Sequence, residues 1–185
     1  RVERAIIAGF SLGGMIARRF AQDVPQQTQA LVILHSPHKR DQEAQAAILK
    51  RVHQAQKLGP QSTIEAALER WFTQRFRVAN PDTMETVRRW VKANKKSIYH
   101  TIYSVLATGI DEIVTPDPAI ICPALVMTSD EDYGNCPVMA RAIAAEIPGA
   151  ETLILSNLRH MALVEDPEAI NRPIRQFLDK LGLPA

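Results

Sequence analysis

Near the N-terminus, hydrophobic residues form two short unbroken runs, with a segment of helical spacing between them. Residues 5–10 and 30–35 contain almost no polar side chain, which is typical of parallel strands covered on both faces of a sheet. Between them, residues 12–24 have the spacing of an amphipathic helix. The pattern predicts a strand, a helix and a second strand, which is how an α/β fold with a parallel sheet begins.

After Ser36 and Pro37 the spacing is helical throughout, without a strand-like run. Helix-breaking residues interrupt this region and separate one helix from the next, at Gly59-Pro60, Asn80-Pro81 and Gly109. The predicted helices cover residues 42–58, 63–77, 82–94 and 97–108.

Strand-like and helix-like segments alternate again toward the C-terminus. Asp166 before Pro167 is a favourable N-cap for the last helix. We predict one α/β core, residues 1–38 and 110–185, with a helical insertion at 39–109 that caps the carboxyl ends of the strands. The alternative is a separate helical bundle. In this part of the core the predicted strands are 124–128 and 152–155, and the predicted helices are 137–147 and 167–181.

A G-x-S-x-G motif, Gly9 to Gly13, lies between the first strand and the first helix. On such a tight turn the Ser11 hydroxyl is exposed, and glycines at both ends let strand and helix approach closely. The N–H of Leu12 lies at the helix N-terminus, where it can stabilise an oxyanion. A phosphate-binding loop would need G-x-G-x-x-G or a Lys-Ser/Thr ending, and neither is present here. We therefore predict that Ser11 is a nucleophile.

A nucleophilic serine needs a base, and the base needs an acid that orients it. Of the five histidines, only His160 follows the last predicted strand. Three acids follow the strand before it, and of these we predict Asp132 as the partner of His160, with Asp130 as the second candidate. His53, in contrast, falls on an insertion helix, where we expect it to be solvated or packed.

Charge is distributed unevenly along the chain, although the net charge is only +2. Residues 39–96 hold 13 Lys and Arg against 6 Asp and Glu, a net charge of +7, and the remainder carries −5. Arg70, Arg75 and Arg77 flank aromatic residues in this basic segment. The basic groups either attract anionic substrates or form solvated helix faces around an aromatic core.

Cysteine content and hydropathy limit where the protein acts. Cys122 and Cys136 flank a predicted strand, so they lie too far apart for a disulfide. We therefore predict two free thiols and a cytoplasmic location. No apolar run approaches the length of a membrane span, and we expect neither a membrane nor a nucleic acid as partner.

Four segments, in order and spacing, resemble the α/β-hydrolase superfamily: GFSLGG, PALVMTSDEDYGNCP, AIAAEIPGAETLIL and LRHMALVEDPEAINRPIRQFL. The chain is most similar to the branch of 3-oxoadipate enol-lactonases and small carboxylesterases, whose cap the stretch ALERWFTQRF resembles. The resemblance implies that Ser11, Asp132 and His160 form a catalytic triad and that the Leu12 N–H is one oxyanion donor. The candidates for substrate contact are Phe10, His35, Trp71, Phe72 and Met161.

The resemblance also implies several further strands before the first one of this chain, with a loop that carries the second oxyanion donor. The chain therefore resembles the C-terminal part of the fold, and its first strand is expected to expose an edge. The predicted function is hydrolysis of a small-molecule carboxylic ester or lactone through an acyl-enzyme, without metal or organic cofactor. The alternatives are a ligand-binding protein of the same fold and an inactive fragment of a hydrolase.

Overall fold

The structure, a computed structural model, describes residues 2–182. The chain forms two compact units. The first runs to His38 and resumes at Ile113, and the second is Lys39–Glu112. The second unit extends past residue 109 because the short 3₁₀ helix Gly109–Glu112 follows directly on its last α-helix.

The first unit contains a four-stranded parallel sheet in the order β1-β2-β3-β4. All four predicted strands are confirmed, each within two residues of the predicted ends. The inner strands, β2 and β3, are buried along nearly their whole length, whereas β1 and β4 are partly exposed at the two edges. The strands are β1 Ala5–Phe10, β2 Thr28–Leu34, β3 Ala124–Ser129 and β4 Glu151–Leu155.

Nine α-helices are found among residues 2–182, together with short 3₁₀ helices at Pro25–Gln27, Pro60–Thr63 and Gly109–Glu112. None of these helices is long and apolar enough to cross a bilayer. In chain order they are α1 Leu12–Asp23, α2 Gln42–Leu58, α3 Ile64–Trp71, α4 Gln74–Ala79, α5 Pro81–Lys92, α6 Lys96–Thr108, α7 Pro137–Ala145, α8 Ala162–Glu165 and α9 Pro167–Lys180.

The sheet buries hydrophobic side chains on both faces, which explains the unbroken apolar runs. Val32 and Leu34 of β2 point to the face covered by α9, where Phe177 is buried. Leu31 and Ile33 point to the opposite face, which α1 and α7 cover. The alternation along β2 therefore anchors the sheet between two helical layers and fixes its register.

The second unit is entirely helical, as predicted, and α2 packs on α6 through Ile48, Val52 and Ala107. The prediction of one helix over 63–77 is wrong. The helix breaks at Phe72, whose backbone is extended (φ −125°, ψ 143°) and whose side chain is fully buried. Thr73 then caps α4 by accepting a hydrogen bond from the Phe76 N–H at 3.3 Å. The packing of Phe72 and this cap end the helix here, although the sequence has neither glycine nor proline at this point.

Cys122 and Cys136 are both free, as predicted. Burial raises the pKa of the Cys122 thiol, which keeps it protonated at neutral pH. The cytoplasmic location inferred from the two thiols stays a prediction.

Candidate active site

Ser11 lies on the sharp turn between β1 and α1. Its backbone φ is positive (φ 54°, ψ −117°), which is rare for a residue with a side chain. Two hydrogen bonds hold this turn: the Ser11 N–H donates to the Leu34 carbonyl at 2.8 Å, and the Gly14 N–H donates to the Ser11 carbonyl at 3.0 Å. Such strain is typical of positions that present a side chain for chemistry.

Two glycines allow the close packing of this turn, and one of them differs from the prediction. A Cβ on Gly9 would lie 2.1 Å from the carbonyl oxygen of Gly13, and a Cβ on Gly14 would lie 2.5 Å from the Cβ of Ser36. A Cβ on Gly13 would meet nothing within 4 Å. Gly9 and Gly14 are therefore the residues whose lack of a side chain matters for packing, and the prediction that Gly13 needs to be glycine for this reason is wrong.

The three residues predicted as a triad follow the carboxyl ends of three strands of the sheet. Ser11 follows β1, Asp132 follows β3 and His160 follows β4. The Ser11 Oγ is 3.1 Å from the His160 Nε2, and the His160 Nδ1 is 2.7 Å from the Asp132 Oδ2. Both distances are within the range that a nucleophile, its base and an orienting group require. The His160 ring therefore has a hydroxyl at its Nε2 and a carboxylate at its Nδ1.

Asp132 is buried and its carboxylate accepts hydrogen bonds at both oxygens. The backbone N–H groups of Gly134 and Asn135 donate to Oδ1 at 3.1 and 3.0 Å. Burial alone would raise the pKa of Asp132, but the charge and hydrogen bond of His160, together with those of His35, lower it below its ordinary value. The carboxylate is therefore ionised at neutral pH.

The two acids before Asp132 have other partners. The Asp130 Oδ1 accepts a hydrogen bond from the Asn157 N–H at 2.8 Å, and Glu131 forms an ion pair with the Arg159 Nε at 3.2 Å. Both interactions connect the loop after β3 to the loop after β4. Asp130, the second candidate for the acid, thus holds the loop that carries His160 through a hydrogen bond to the backbone. Its carboxylate does not contact the imidazole.

His35, a candidate for substrate contact, is fully buried at the end of β2. Its Nδ1 is 3.1 Å from the Asp132 Oδ2, the same oxygen that His160 contacts. A side chain with no exposed surface cannot touch a substrate, so we correct that prediction. Burial lowers the pKa of His35, and the contacts with Asp132 only partly oppose this effect.

The other predicted contact residues divide between the two units. In the first unit, Phe10 is half-buried with its ring 4.8 Å from that of His160, and Met161 is half-buried directly after His160. In the second unit, Trp71 is half-buried, whereas Phe72 is fully buried and stacked on a neighbouring aromatic ring. Because Phe72 is inaccessible, we also correct its assignment as a contact residue.

Leu12 is the first residue of α1, so its N–H has no partner within the helix. This N–H remains the candidate oxyanion donor. Within residues 2–182, the one cluster of three potential metal ligands consists of His35, Asp132 and His160, whose ligand atoms lie within 4.8 Å of one another. The hydrogen bonds among these three side chains account for their arrangement.

Two further residues support the site and were not predicted. The Asn135 Nδ2 donates to the His35 carbonyl at 2.6 Å, and the Thr128 hydroxyl donates to the Asn135 carbonyl at 2.6 Å. Both side chains are buried. The nearness of both residues to Asp132 in the sequence was the available signal for their role. Their burial is a property of the folded sheet and is not visible in the sequence.

Comparison with known proteins places this geometry in context. The chain is 29% identical over 177 residues to an (E)-2-((N-methylformamido)methylene)succinate hydrolase from Acinetobacter baylyi, a match that covers 94% of this chain and 64% of that protein. The structure of an enol-lactonase from Burkholderia xenovorans LB400 has a TM-score of 0.83 at 22% identity and covers 96% of this chain and 66% of that one. A hydrolase from Pseudomonas aeruginosa PA01 has a TM-score of 0.80 at 25% identity, over 96% and 65% of the two chains.

The chain thus spans about two thirds of the length of these relatives. The likeness to the enol-lactonase shows the fold, and it confirms the predicted partial α/β-hydrolase architecture. Residues 1–167 match the family described as serine aminopeptidase, S33, and the chain belongs to this family of α/β hydrolases.

Proposed function

We propose that the protein is a serine hydrolase that cleaves a carboxylic ester or lactone through an acyl-enzyme. The observation that carries the proposal is the continuous hydrogen-bonded chain from the Ser11 Oγ through His160 to Asp132, with distances of 3.1 and 2.7 Å. The hydrolases among the relatives support the class of reaction.

In the proposed reaction, the Ser11 Oγ attacks the carbonyl carbon of the substrate while its proton moves to the His160 Nε2. The Leu12 N–H donates a hydrogen bond to the oxyanion of the tetrahedral intermediate. His160 then gives the proton to the leaving oxygen, which releases the alcohol, or opens the ring of a lactone, and leaves an acyl group on Ser11. Water attacks this ester as His160 takes its proton, and the bond to Ser11 then breaks as His160 returns that proton to the Ser11 Oγ, which releases the acid product. Asp132 orients the imidazole and stabilises its positive charge throughout.

The substrate is proposed to carry a carboxylate. The relative from Acinetobacter baylyi is named for a substituted succinate, a compound with two carboxylates. In this chain, residues 39–96 carry a net charge of +7, which attracts anions. We propose that residues 39–109 form the cap of the site, with Trp71 as a contact residue from that unit and Phe10 and Met161 from the first.

A matched pair of aspartate variants tests the proposed mechanism. Asp132→Asn should lower kcat on a short-chain p-nitrophenyl ester by about 10⁴-fold, because the imidazole loses the group that fixes its tautomer. Asp130→Asn should change kcat little, because an amide oxygen still accepts the hydrogen bond from Asn157. Ser11→Ala should abolish the burst of p-nitrophenol that reports the acyl-enzyme.

Equal losses in the two aspartate variants would contradict the assignment of the acid. If the wild-type protein turns over neither an ester nor a lactone probe, the proposed function fails. Calorimetric binding of the same probes without turnover would then favour the ligand-binding alternative.

A further inference from the structure

We propose that His35 is a positioning residue for the catalytic acid: its Nδ1–H donates to the Asp132 Oδ2 and, together with His160, fixes the carboxylate from two sides. This inference rests on the proposed function. Asp132 has one oxygen bound by two backbone N–H groups and the other shared by two imidazoles. Each carboxylate oxygen therefore has two hydrogen-bond partners, which oppose rotation of the group.

The protonation state of His35 follows from its surroundings. Asp132 and His160 are the titratable groups that act on its ring. Because burial lowers its pKa, the ring is neutral at pH 7 and carries a single proton. A proton on Nδ1 faces a carboxylate oxygen at 3.1 Å, which is favourable. A proton on Nε2 would lie at a buried nitrogen that has no hydrogen-bond partner among the described residues, and it would turn the Nδ1 lone pair toward the carboxylate.

The backbone of His35 is held in a conformation that directs the ring to this place. Its φ is +47°, in the left-handed region, where asparagine, aspartate and histidine are enriched among residues with side chains. The His35 N–H donates to the Met127 carbonyl at 2.7 Å, and its carbonyl accepts from the Asn135 Nδ2 at 2.6 Å. Asn135 also donates its backbone N–H to the Asp132 Oδ1. Asn135 therefore holds the positioning histidine through its side chain and the acid through its backbone.

Loss of the His35 N–H should weaken the orientation of the catalytic base. The carboxylate loses a donor that limits its rotation, so His160 is oriented less well and kcat falls.

The test compares His35→Phe, which keeps a flat ring without a donor, with His35→Asn, whose Nδ2 takes the place of Nδ1 and which tolerates the positive φ. The phenylalanine variant should lose roughly 10- to 100-fold in kcat with KM little changed, the effect of removing one hydrogen bond to a charged group. The asparagine variant should recover most of this loss. His53→Phe, the same change at an exposed histidine of α2, serves as the matched control and should not affect kcat.

Nitrogen NMR of the wild-type protein tests the same inference without substrate. Long-range ¹H–¹⁵N correlations should show a neutral His35 that is protonated at Nδ1, and this result is expected even if the proposed hydrolase activity fails. Protonation at Nε2 would overturn the inference regardless of activity. Identical kinetics for the phenylalanine and asparagine variants would overturn it as well, because an N–H donor at this position would then make no difference.

Discussion

At the scale of single residues, the site depends on backbone conformations that most side chains disfavour. Ser11 and His35 both have positive φ values, and both carry side chains that the proposed mechanism uses. Each is held by backbone hydrogen bonds to the neighbouring strand. Hydrogen bonds to the central strands thus hold the strained conformations of the proposed nucleophile and of the proposed positioning histidine.

Alanine substitutions at Gly9 and Gly13 test which glycine of the motif is required for the packing of the turn. Gly9→Ala should lower the free energy of unfolding by about 3 kcal/mol or more, because the new methyl would lie 2.1 Å from a backbone oxygen that cannot move alone. Gly13→Ala should leave stability unchanged or raise it by up to about 1 kcal/mol, since its Cβ would enter open space and alanine favours the helix. Urea unfolding of the two variants and the wild type measures both effects. Equal destabilisation by both alanines would contradict this reading of the turn.

The positions of Ser11, Asp132 and His160 could be predicted because each follows a predicted strand, and parallel strands bring their carboxyl ends to one edge of the sheet. The role of His35 could not be predicted. It continues an apolar run and looks like the end of a strand, and its contact with Asp132 joins residues 97 positions apart. Only the order of β2 and β3 in the sheet makes the two side chains neighbours.

At the scale of elements, strands were predicted better than helix breaks. Each of the four strands contains a short apolar run, which fits a sheet that is covered on both faces. The break between α3 and α4 has no such mark. Phe72 leaves the helix to fill a buried position, a tertiary effect that local spacing does not contain.

The N-cap of α9 offers a test of local signals. The Asp166 Oδ1 accepts a hydrogen bond from the Ala169 N–H at 3.1 Å, so Asp166→Ala should lower the free energy of unfolding by about 1 kcal/mol. Asp179 is exposed in the last turn of the same helix, where a negative charge is unfavourable, so Asp179→Ala should be neutral or slightly stabilising. Thermal unfolding of the two variants at equal salt gives the comparison. A loss in Asp179→Ala as large as that in Asp166→Ala would mean that general charge, and not the cap, stabilises α9.

At the scale of the whole molecule, charge follows the division of the chain into two units. The basic residues concentrate in the helical unit, and the acids that support the proposed site lie in the α/β unit. An enzyme that takes a carboxylate-bearing substrate gains from such a distribution, because exposed positive charge raises the rate of encounter with an anion. The same charge does little for a neutral substrate.

This difference gives a kinetic prediction. For an ester that carries a carboxylate, kcat/KM should fall several-fold as salt is raised from low to physiological concentration and above, since exposed charges are screened beyond about 8 Å at physiological ionic strength. A neutral ester of equal size should respond little, which makes it the control for salt effects on the chemistry itself. Replacing the exposed Arg75 by Gln should reduce the salt dependence for the anionic ester alone. If both esters respond alike, the basic residues of the helical unit are only a solvated surface, and the substrate is then a generic ester without a required carboxylate.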